Sequence, residues 1–343
     1  MPKVYIIILN WNGLKDTLEC LDSVLKLDYP NFEVIVVDNC SSDDSVEIIR
    51  HKYSQVVLIE NSKNLGFAGG NNVAMKYAMK AGADYVWLLN NDTIIEPDSL
   101  LKLVDGAEQS LEIGLVSPVI YQYGGPEHVQ FMGAYVDFTH FSVTAVMDSK
   151  ELENQCVQRN LFLWGTALLI KRDVIESIGY LSEKYFAYVE DRDYSFRALR
   201  ANFRNIVKLD ARIFHKGSKS TGRHSPIQVF LGTRNLYFVW SDNTHGFKRI
   251  FLPGYYIGMV INYANCLSEE GNEEGFNACL NGFWAAFKGK GGGYDPTIII
   301  PSMLNKVFRF CISCYPHFWV RLFRCDIPGI VRTALTKAQI IFR

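Results

Sequence analysis

Three short stretches carry side chains able to bind a cation or take up a proton. Asn90-Asn91-Asp92-Thr93 closes the apolar run Tyr85–Leu89. In an extended chain alternate residues share a face, so Asn90 and Asp92 are expected to address one site. A hard divalent cation needs only one or two carboxylates beside substrate phosphates. Asn and Asp are equally ordinary turn formers, and a plain turn is the competing reading. Tyr188-Val189-Glu190-Asp191-Arg192-Asp193 sets three carboxylates within four residues at the start of an expected helix. A helix N-terminus favours an ionised carboxylate by a few tenths to about 1 kcal/mol, and an ionised carboxylate is what a general base requires. The same residues would also serve as simple caps. His215, in Phe214-His215-Lys216-Gly217, follows an expected strand. A fold that carried it to Asp92 would complete a mixed nitrogen–oxygen site that leans toward manganese over magnesium. By itself it is an ordinary structural or surface histidine.

The elements around these stretches alternate. Val4–Leu9, Glu33–Val37, Val56–Glu60 and Tyr85–Leu89 are short apolar runs of the kind buried on both faces of a sheet. Between them lie helical patterns: Leu14, Leu18, Leu21 and Leu25 at helical spacing, a short helix after Ser41-Ser42-Asp43-Asp44, and Gly70–Ala81 ended by Gly82. Repeated β-α-β units predict a mostly parallel sheet with helices on both faces. Ligands of such sheets bind outside the carboxyl ends of the strands, which selects Asn10-Trp11, Asp38-Asn39, Asn61–Asn72 and Asn90–Thr93. Leu100–Ser110, Lys171–Ile178 and Asp191–Ala201 read as helices, Leu161–Ile170 and Asn205–Leu209 as strands, and helices dominate after Pro226. Gly66-Phe67-Ala68-Gly69-Gly70 opens a helix but is not a dinucleotide loop: its spacing is wrong, and it follows the third strand. A glycine-rich helix entry can still admit a nucleotide or its phosphates.

With 343 residues, 48% of them apolar, and a net charge of −1, the chain can bury a core and gives no sign of a nucleic-acid partner. Eight cysteines without framework spacing read as reduced thiols, and Cys311-x-x-Cys314 as packing. Neither a leader sequence nor a run of about 20 apolar residues is visible, so a cytoplasmic location is expected. From Ile298 to Arg343 seven Lys and Arg face the single acid Asp326, with Phe308, Phe310, Tyr315, Phe318, Trp319 and Phe323 between them. Such a segment suits either the inner face of a membrane or a packed helical subdomain or oligomer contact.

The motifs are weak singly, but their order is specific. Val36-Val37-Asp38-Asn39, Asn64 through Asn72, Leu88 through Asp92, Trp164-Gly165-Thr166-Ala167, Tyr188 through Asp193 and Phe214-His215 resemble family 2 glycosyltransferases, nearest to a rhamnosyltransferase-like branch that builds bacterial cell-surface polysaccharide. Arg234-Asn235 and Gly282 through Lys290 are similar to that branch too. The likeness spans roughly residues 3–290. It implies an α/β GT-A fold over 1–225, with a nucleotide-binding half (1–112) and an acceptor half (113–225), followed by a mainly helical region, 226–343. It also implies a donor site in which Asp38 grips the nucleoside, Asn10 begins the nucleotide wall, and Asn64 and Gly66 shape the far side. Asn90 and Asp92 take the places of the D-x-D motif, with Asp92 and His215 holding Mn²⁺ or Mg²⁺. Trp164 and Gly165 form the donor–acceptor floor, and Asp191, beside Glu190, matches the catalytic base.

The activity implied is inverting transfer of a sugar from a UDP or dTDP donor, dTDP-rhamnose among them, to a glycan or lipid-linked hydroxyl. Asn90, neutral where the family has Asp, implies weaker metal binding, and the missing Q-x-x-R-W motif argues against processive polymerisation. Two other readings compete. A sugar-nucleotide pyrophosphorylase would want a basic glycine-rich loop after the first strand, which Asn10-Trp11-Asn12-Gly13 does not supply. A catalytically inactive sugar-nucleotide-binding protein would not need Asp92, Asp191 and His215 together.

Overall fold

The computed structural model describes residues 1–154, 160–217 and 224–314. They fall into two units. Of these residues the first comprises those within 1–137, 142–186 and 190–217, and the second those within 138–141, 187–189 and 224–314.

In the first unit four apolar runs become parallel neighbours: β1 (Val4–Asn10), β2 (Phe32–Asp38), β3 (Val57–Glu60) and β4 (Tyr85–Asn90). Ile6, Ile7, Ile8, Val36, Val37, Val86 and Leu88 are fully sealed. Burying a side chain of this size contributes about 1.5–3 kcal/mol, which is why continuous rather than alternating apolarity marks these strands. The helices α1 (Leu14–Val24), α2 (Ser45–Lys52) and α3 (Gly66–Lys80) make the crossovers.

Beyond β4 the sheet stops being parallel. After β5 (Thr93–Ile95) and α4 (Ser99–Ala107) come β6 (Ile113–Gln122) and β7 (Gly125–Phe131). A small second sheet follows, of β8 (Ala134–Asp137), β9 (Ser142–Ala145) and β10 (Leu161–Phe162). Then come β11 (Ala167–Lys171), α5 (Arg172–Ile178), α6 (Glu190–Arg200) and β12 (Arg204–His215). Among the described residues the main sheet has nine strands in the order β3-β2-β1-β4-β11-β6-β12-β5, with β7 on β6. β11 runs antiparallel to both β4 and β6, and β5 antiparallel to β12. The sheet is therefore mixed, with helices on both faces.

Two expected elements change shape. The apolar run 161–170 is not one strand. It breaks at Leu163–Thr166, between β10 of the small sheet and β11 inside the main sheet, and the break reaches the site described below. The strand expected to end at Leu209 continues to His215, after a register shift between Lys208 and Arg212 opposite Pro118. Pro118 has no N–H to give to the ladder, so an irregularity there is where an interrupted strand can resume.

The second unit is helical: α7 (Pro226–Asn243), α8 (Leu252–Glu269), α9 (Glu273–Phe287) and α10 (Ser302–Cys314). Ser225 caps α7 ahead of Pro226, and the Asn272 side chain accepts from Gly275 N at 2.7 Å to cap α9. Gly282 sets the approach of α9 to α7, since a Cβ there would sit 2.5 Å from the Phe230 carbonyl oxygen. No described helix is long and apolar enough to cross a membrane. Of the basic aromatic tail, Phe308 is buried against Phe283, with ring centroids 5.0 Å apart, and Phe310 is exposed. Tyr315, Phe318, Trp319, Phe323 and the basic residues from Arg321 onward lie outside the described residues.

Candidate active site

Parallel register brings the ends of the first strands together. Asn10 pairs with Asp38 across β1 and β2, and Leu9 with Asn90 across β1 and β4. Both Asn10 and Asp38 are buried, so their polar atoms need partners. Asn10 Nδ2 donates to Asp38 Oδ2 at 2.8 Å, Ser41 N donates to Asp38 Oδ1 at 2.8 Å, and Thr17 Oγ1 donates to Asn10 Oδ1 at 2.8 Å. Asp38 is thus held as an acceptor at both oxygens.

Asn39 does for the neighbouring loop what Asn10 does for Asp38. Its amide nitrogen donates to Asn64 Oδ1 (2.9 Å) and the Gly66 carbonyl (3.1 Å), and its oxygen accepts from Leu65 N (3.0 Å). Gly66 has φ +72°, and a Cβ there would lie 2.4 Å from the Phe186 carbonyl oxygen and within 2.6 Å of its ring. Only glycine combines that dihedral with that approach. Two amides of the first turn of α3 are already used: Gly66 N donates to Asn64 Oδ1 and Ala68 N to the Phe186 carbonyl. These internal partners leave less of the helix entry for phosphate than its glycine content suggests.

On the other side of β4 the chain turns. Asn91 and Asp92 form a turn into β5, so Asn90 and Asp92 are not alternating strand residues as the sequence pattern implied. The turn is tied down by Asn91 Nδ2 donating to Thr17 Oγ1 at 2.9 Å and by Thr93 Oγ1 donating to the Asn90 carbonyl at 2.7 Å. β12 then runs antiparallel to β5 with His215 opposite Thr93, and Lys216 N donates to the Asp92 carbonyl at 3.0 Å. This pairing delivers His215 Nε2 to within 3.2 Å of Asp92 Oδ1. Lys216 anchors the junction through Asp16 (2.7 Å) and Glu19 (2.5 Å) of α1. Burial pushes the Asp92 carboxyl up, but the His215 hydrogen bond and charge outweigh it and hold Asp92 below the usual carboxylate range.

Among the described residues no cluster of three or more His, Cys, Asp or Glu forms a closed metal cage. The Asp92–His215 pair still fits a divalent ion of the Mn²⁺ type. Its donors are one carboxylate oxygen and one imidazole nitrogen, and an ion held by so few protein groups takes its remaining ligands from substrate phosphate and water.

Asp191 is reached through the broken strand. Asn90 N donates to the Thr166 carbonyl, and the adjacent Gly165 N donates to Asp191 Oδ2, each at 2.9 Å. Asp191 Oδ1 accepts from Arg192 N at 2.7 Å. A Cβ on Gly165 would lie 3.3 Å from both Asp191 Cβ and the Phe67 ring, so the glycine keeps the aspartate close. Asp191 is half-buried and Glu190 buried, with Glu190 Oε2 lacking a partner among the described residues. Desolvation raises both carboxyls above their usual range, most strongly Glu190, where the Asp191 charge adds to it. Trp164 is buried, stacked on Phe131 with centroids 4.1 Å apart.

The backbone entering this motif is strained. Phe186, Tyr188 and Val189 have φ of +65°, +69° and +75°, a region most costly for a β-branched residue. Asn235 Nδ2 holds the carbonyls of Ala187 (2.9 Å) and Tyr188 (2.8 Å) in that shape.

Comparison with known proteins identifies the fold and the family. The fold is shared with a mannosyltransferase from Pyrobaculum calidifontis solved with GDP-Man and Mn²⁺ (TM-score 0.55, 18% identity, 99% of this chain and 85% of that one). It is shared too with S. aureus TarS 1-349 in complex with UDP-GlcNAc (TM-score 0.54, 18% identity, 98% and 91%). It is a GT-A fold. The family profile "Glycosyl transferase family 2" matches residues 5–179, and the chain belongs to that family. Similar characterised sequences include the low-salt glycan biosynthesis hexosyltransferase Agl10 of Haloferax volcanii, 27% identical over 68% of this chain and 73% of that one. Another is the N-acetylglucosaminyl-diphospho-decaprenol L-rhamnosyltransferase of Mycobacterium tuberculosis, 25% identical over 63% and 76%.

Ser41, Thr17, Asn39 and Lys216 also build the site, a role the sequence does not point to. Asn39, beside Asp38 at a strand's carboxyl end, and Lys216, beside His215, stand where it could be sought.

Proposed function

We propose that this chain transfers a hexosyl group, with inversion, from a UDP- or dTDP-sugar to a glycan or lipid-linked hydroxyl in cell-surface polysaccharide synthesis, dTDP-rhamnose being the first donor to test. The observation that carries this reading is the meeting of Asp92 and His215 beside the Asn10–Asp38 pair at one end of the sheet. Asp38 and Asn10 face the nucleoside, and Asn64 and Gly66 bound it. Asp92 and His215 would hold a divalent cation, which would offset the charge gathering on the departing diphosphate. Asp191, oriented by Gly165 N, takes the proton of the acceptor hydroxyl as that oxygen attacks the anomeric carbon, and the bond to the diphosphate oxygen breaks on the opposite face. Burial, with the Asp191 charge beside it, raises the Glu190 carboxyl well above its usual range, which disfavours a second negative charge next to Asp191.

A thermal-shift screen of sugar nucleotides with Mn²⁺ and Mg²⁺ tests the donor class, because a ligand at 100 times its Kd stabilises by about 2.7 kcal/mol. A UDP- or dTDP-sugar is expected to shift the melt more with Mn²⁺ than without, and NMR of the product to give the inverted anomer. No shift with any pyrimidine donor, or a retained anomer, would remove the proposal. Pyrophosphate-dependent release of sugar 1-phosphate would favour a nucleotidyltransferase instead.

A lipid-linked acceptor fits a chain that touches a membrane surface. The turn Gly246–Ile250 and Phe251 expose Phe247 (73%), Ile250 (69%) and Phe251 (58%) beside Lys248 and Arg249, with no acid among them. Aromatic and basic residues together suit an anionic bilayer interface. The chain is expected to pellet with vesicles containing anionic lipid, and the double variant Lys248→Glu/Arg249→Glu to pellet several-fold less. Pelleting that ignores lipid charge would exclude this surface.

A further inference from the structure

We propose that Gln130, on β7, is the positioning residue that presents His215 Nε2 to the divalent cation. The inference rests on the reading of Asp92 and His215 as the cation's protein ligands. The Gln130 side-chain oxygen lies 2.6 Å from His215 Nδ1, and the opposite ring nitrogen, Nε2, lies 3.2 Å from Asp92 Oδ1. The imidazole is therefore held at both ring nitrogens, and His215 is only 7% exposed, so it has little room to turn.

The direction of the Gln130 bond decides what Nε2 can do. A carbonyl oxygen only accepts, so Oε1 opposite Nδ1 requires the ring proton to be on Nδ1. Nε2 is then the atom whose lone pair is available on the Asp92 side. A cation held by Asp92 would meet that lone pair while Gln130 accepts from Nδ1, with no rotation of the ring. An acceptor behind a ligating histidine fixes its tautomer and orientation, and losing such a partner typically weakens metal binding about 10–100-fold. If the amide were turned to donate to Nδ1, the proton would sit on Nε2 and Gln130 would oppose metal binding. The two arrangements thus predict opposite effects of removing the amide.

The experiment is a titration of the full chain with Mn²⁺ alone, read by the EPR signal of the free ion and repeated with UDP as a stand-in diphosphate. It compares wild type, Gln130→Leu, Gln130→Glu and His215→Ala. Gln130→Leu is expected to weaken Mn²⁺ binding about 10–100-fold, with its melting temperature in the absence of metal near that of wild type. Gln130→Glu, which can only accept, is expected to bind at least as well as wild type. Nitrogen-15 NMR of the histidine ring, with diamagnetic Mg²⁺ in place of Mn²⁺, should show the Nδ1-protonated form in wild type and a mixture in Gln130→Leu. Unchanged or tighter Mn²⁺ binding by Gln130→Leu, while His215→Ala loses it, overturns the role of Gln130 and leaves the cation site standing. Wild-type binding by His215→Ala overturns the cation site itself, and the inference with it.

Discussion

Asp191→Asn is expected to leave donor affinity within about two-fold of wild type while turnover falls by about 10²–10⁴, the usual worth of a placed general base. At about 1.4 kcal/mol per tenfold that is roughly 3–5 kcal/mol of the barrier. The amide keeps an oxygen for one of the two backbone donors, Gly165 N and Arg192 N, but cannot take up the acceptor's proton. A single-turnover assay alongside calorimetric donor binding checks the split, and turnover equal to wild type removes Asp191 from the role.

Burial gives this variant a second signature. A carboxyl held above its ordinary range keeps a proton that the unfolded chain has already released, so stability falls as pH climbs from about 4 through the raised range. Asp191 and Glu190 both lie in that regime, and their titrations belong to the pair. Asp191→Asn, and more so Glu190→Gln, should therefore melt higher than wild type at neutral pH and lose that advantage below about pH 4. The acid limb of the wild-type pH–rate profile should lie above the ordinary aspartate value for the same reason. Melts that fall at neutral pH in both variants would contradict this account.

Asp92→Ala is expected to abolish the Mn²⁺-dependent part of donor binding, whereas Asp38→Ala weakens donor binding with and without metal. The contrast follows from what each carboxylate meets: Asp92 faces the His215 imidazole, while Asp38 is held between Asn10 and Ser41. Isothermal titration with and without Mn²⁺ separates them, and unchanged affinity in Asp92→Ala contradicts the assignment.

The parallel half of the fold could be read from residues because β1, β2 and β4 are sealed on both faces over most of their length, and continuous apolarity follows from that. The rest was harder for identifiable reasons. β11 joins antiparallel between β4 and β6, a partnership set by tertiary packing that no local pattern encodes. The Leu163–Thr166 break is apolar enough to pass for strand, and only the need to place Gly165 N against Asp191 explains it. β12 looked complete at Leu209 because its bulge answers a proline on a different strand. Helix α3 begins at Gly66 rather than Gly70 because Asn64 and Phe186 supply the partners that make glycines tolerable in a first turn. Of the site, the charged residues were legible by type and order. Gln130 and Thr17 were not, because a lone Gln or Thr carries no signal until the fold gives it a neighbour.

The close seating of Phe186 on Gly66 has a consequence for how such a chain can vary. The loop at Asn64–Gly66 and the segment four residues ahead of Glu190 share one carbonyl, which crowds position 66 and also terminates the Ala68 amide. Position 66 is therefore not an independent variable for anyone recasting donor preference. A larger side chain there must displace the Phe186 backbone that leads to Glu190 and Asp191. Libraries that vary 64–66 without 186 should return folded but idle proteins, and active ones should emerge only when both places change together.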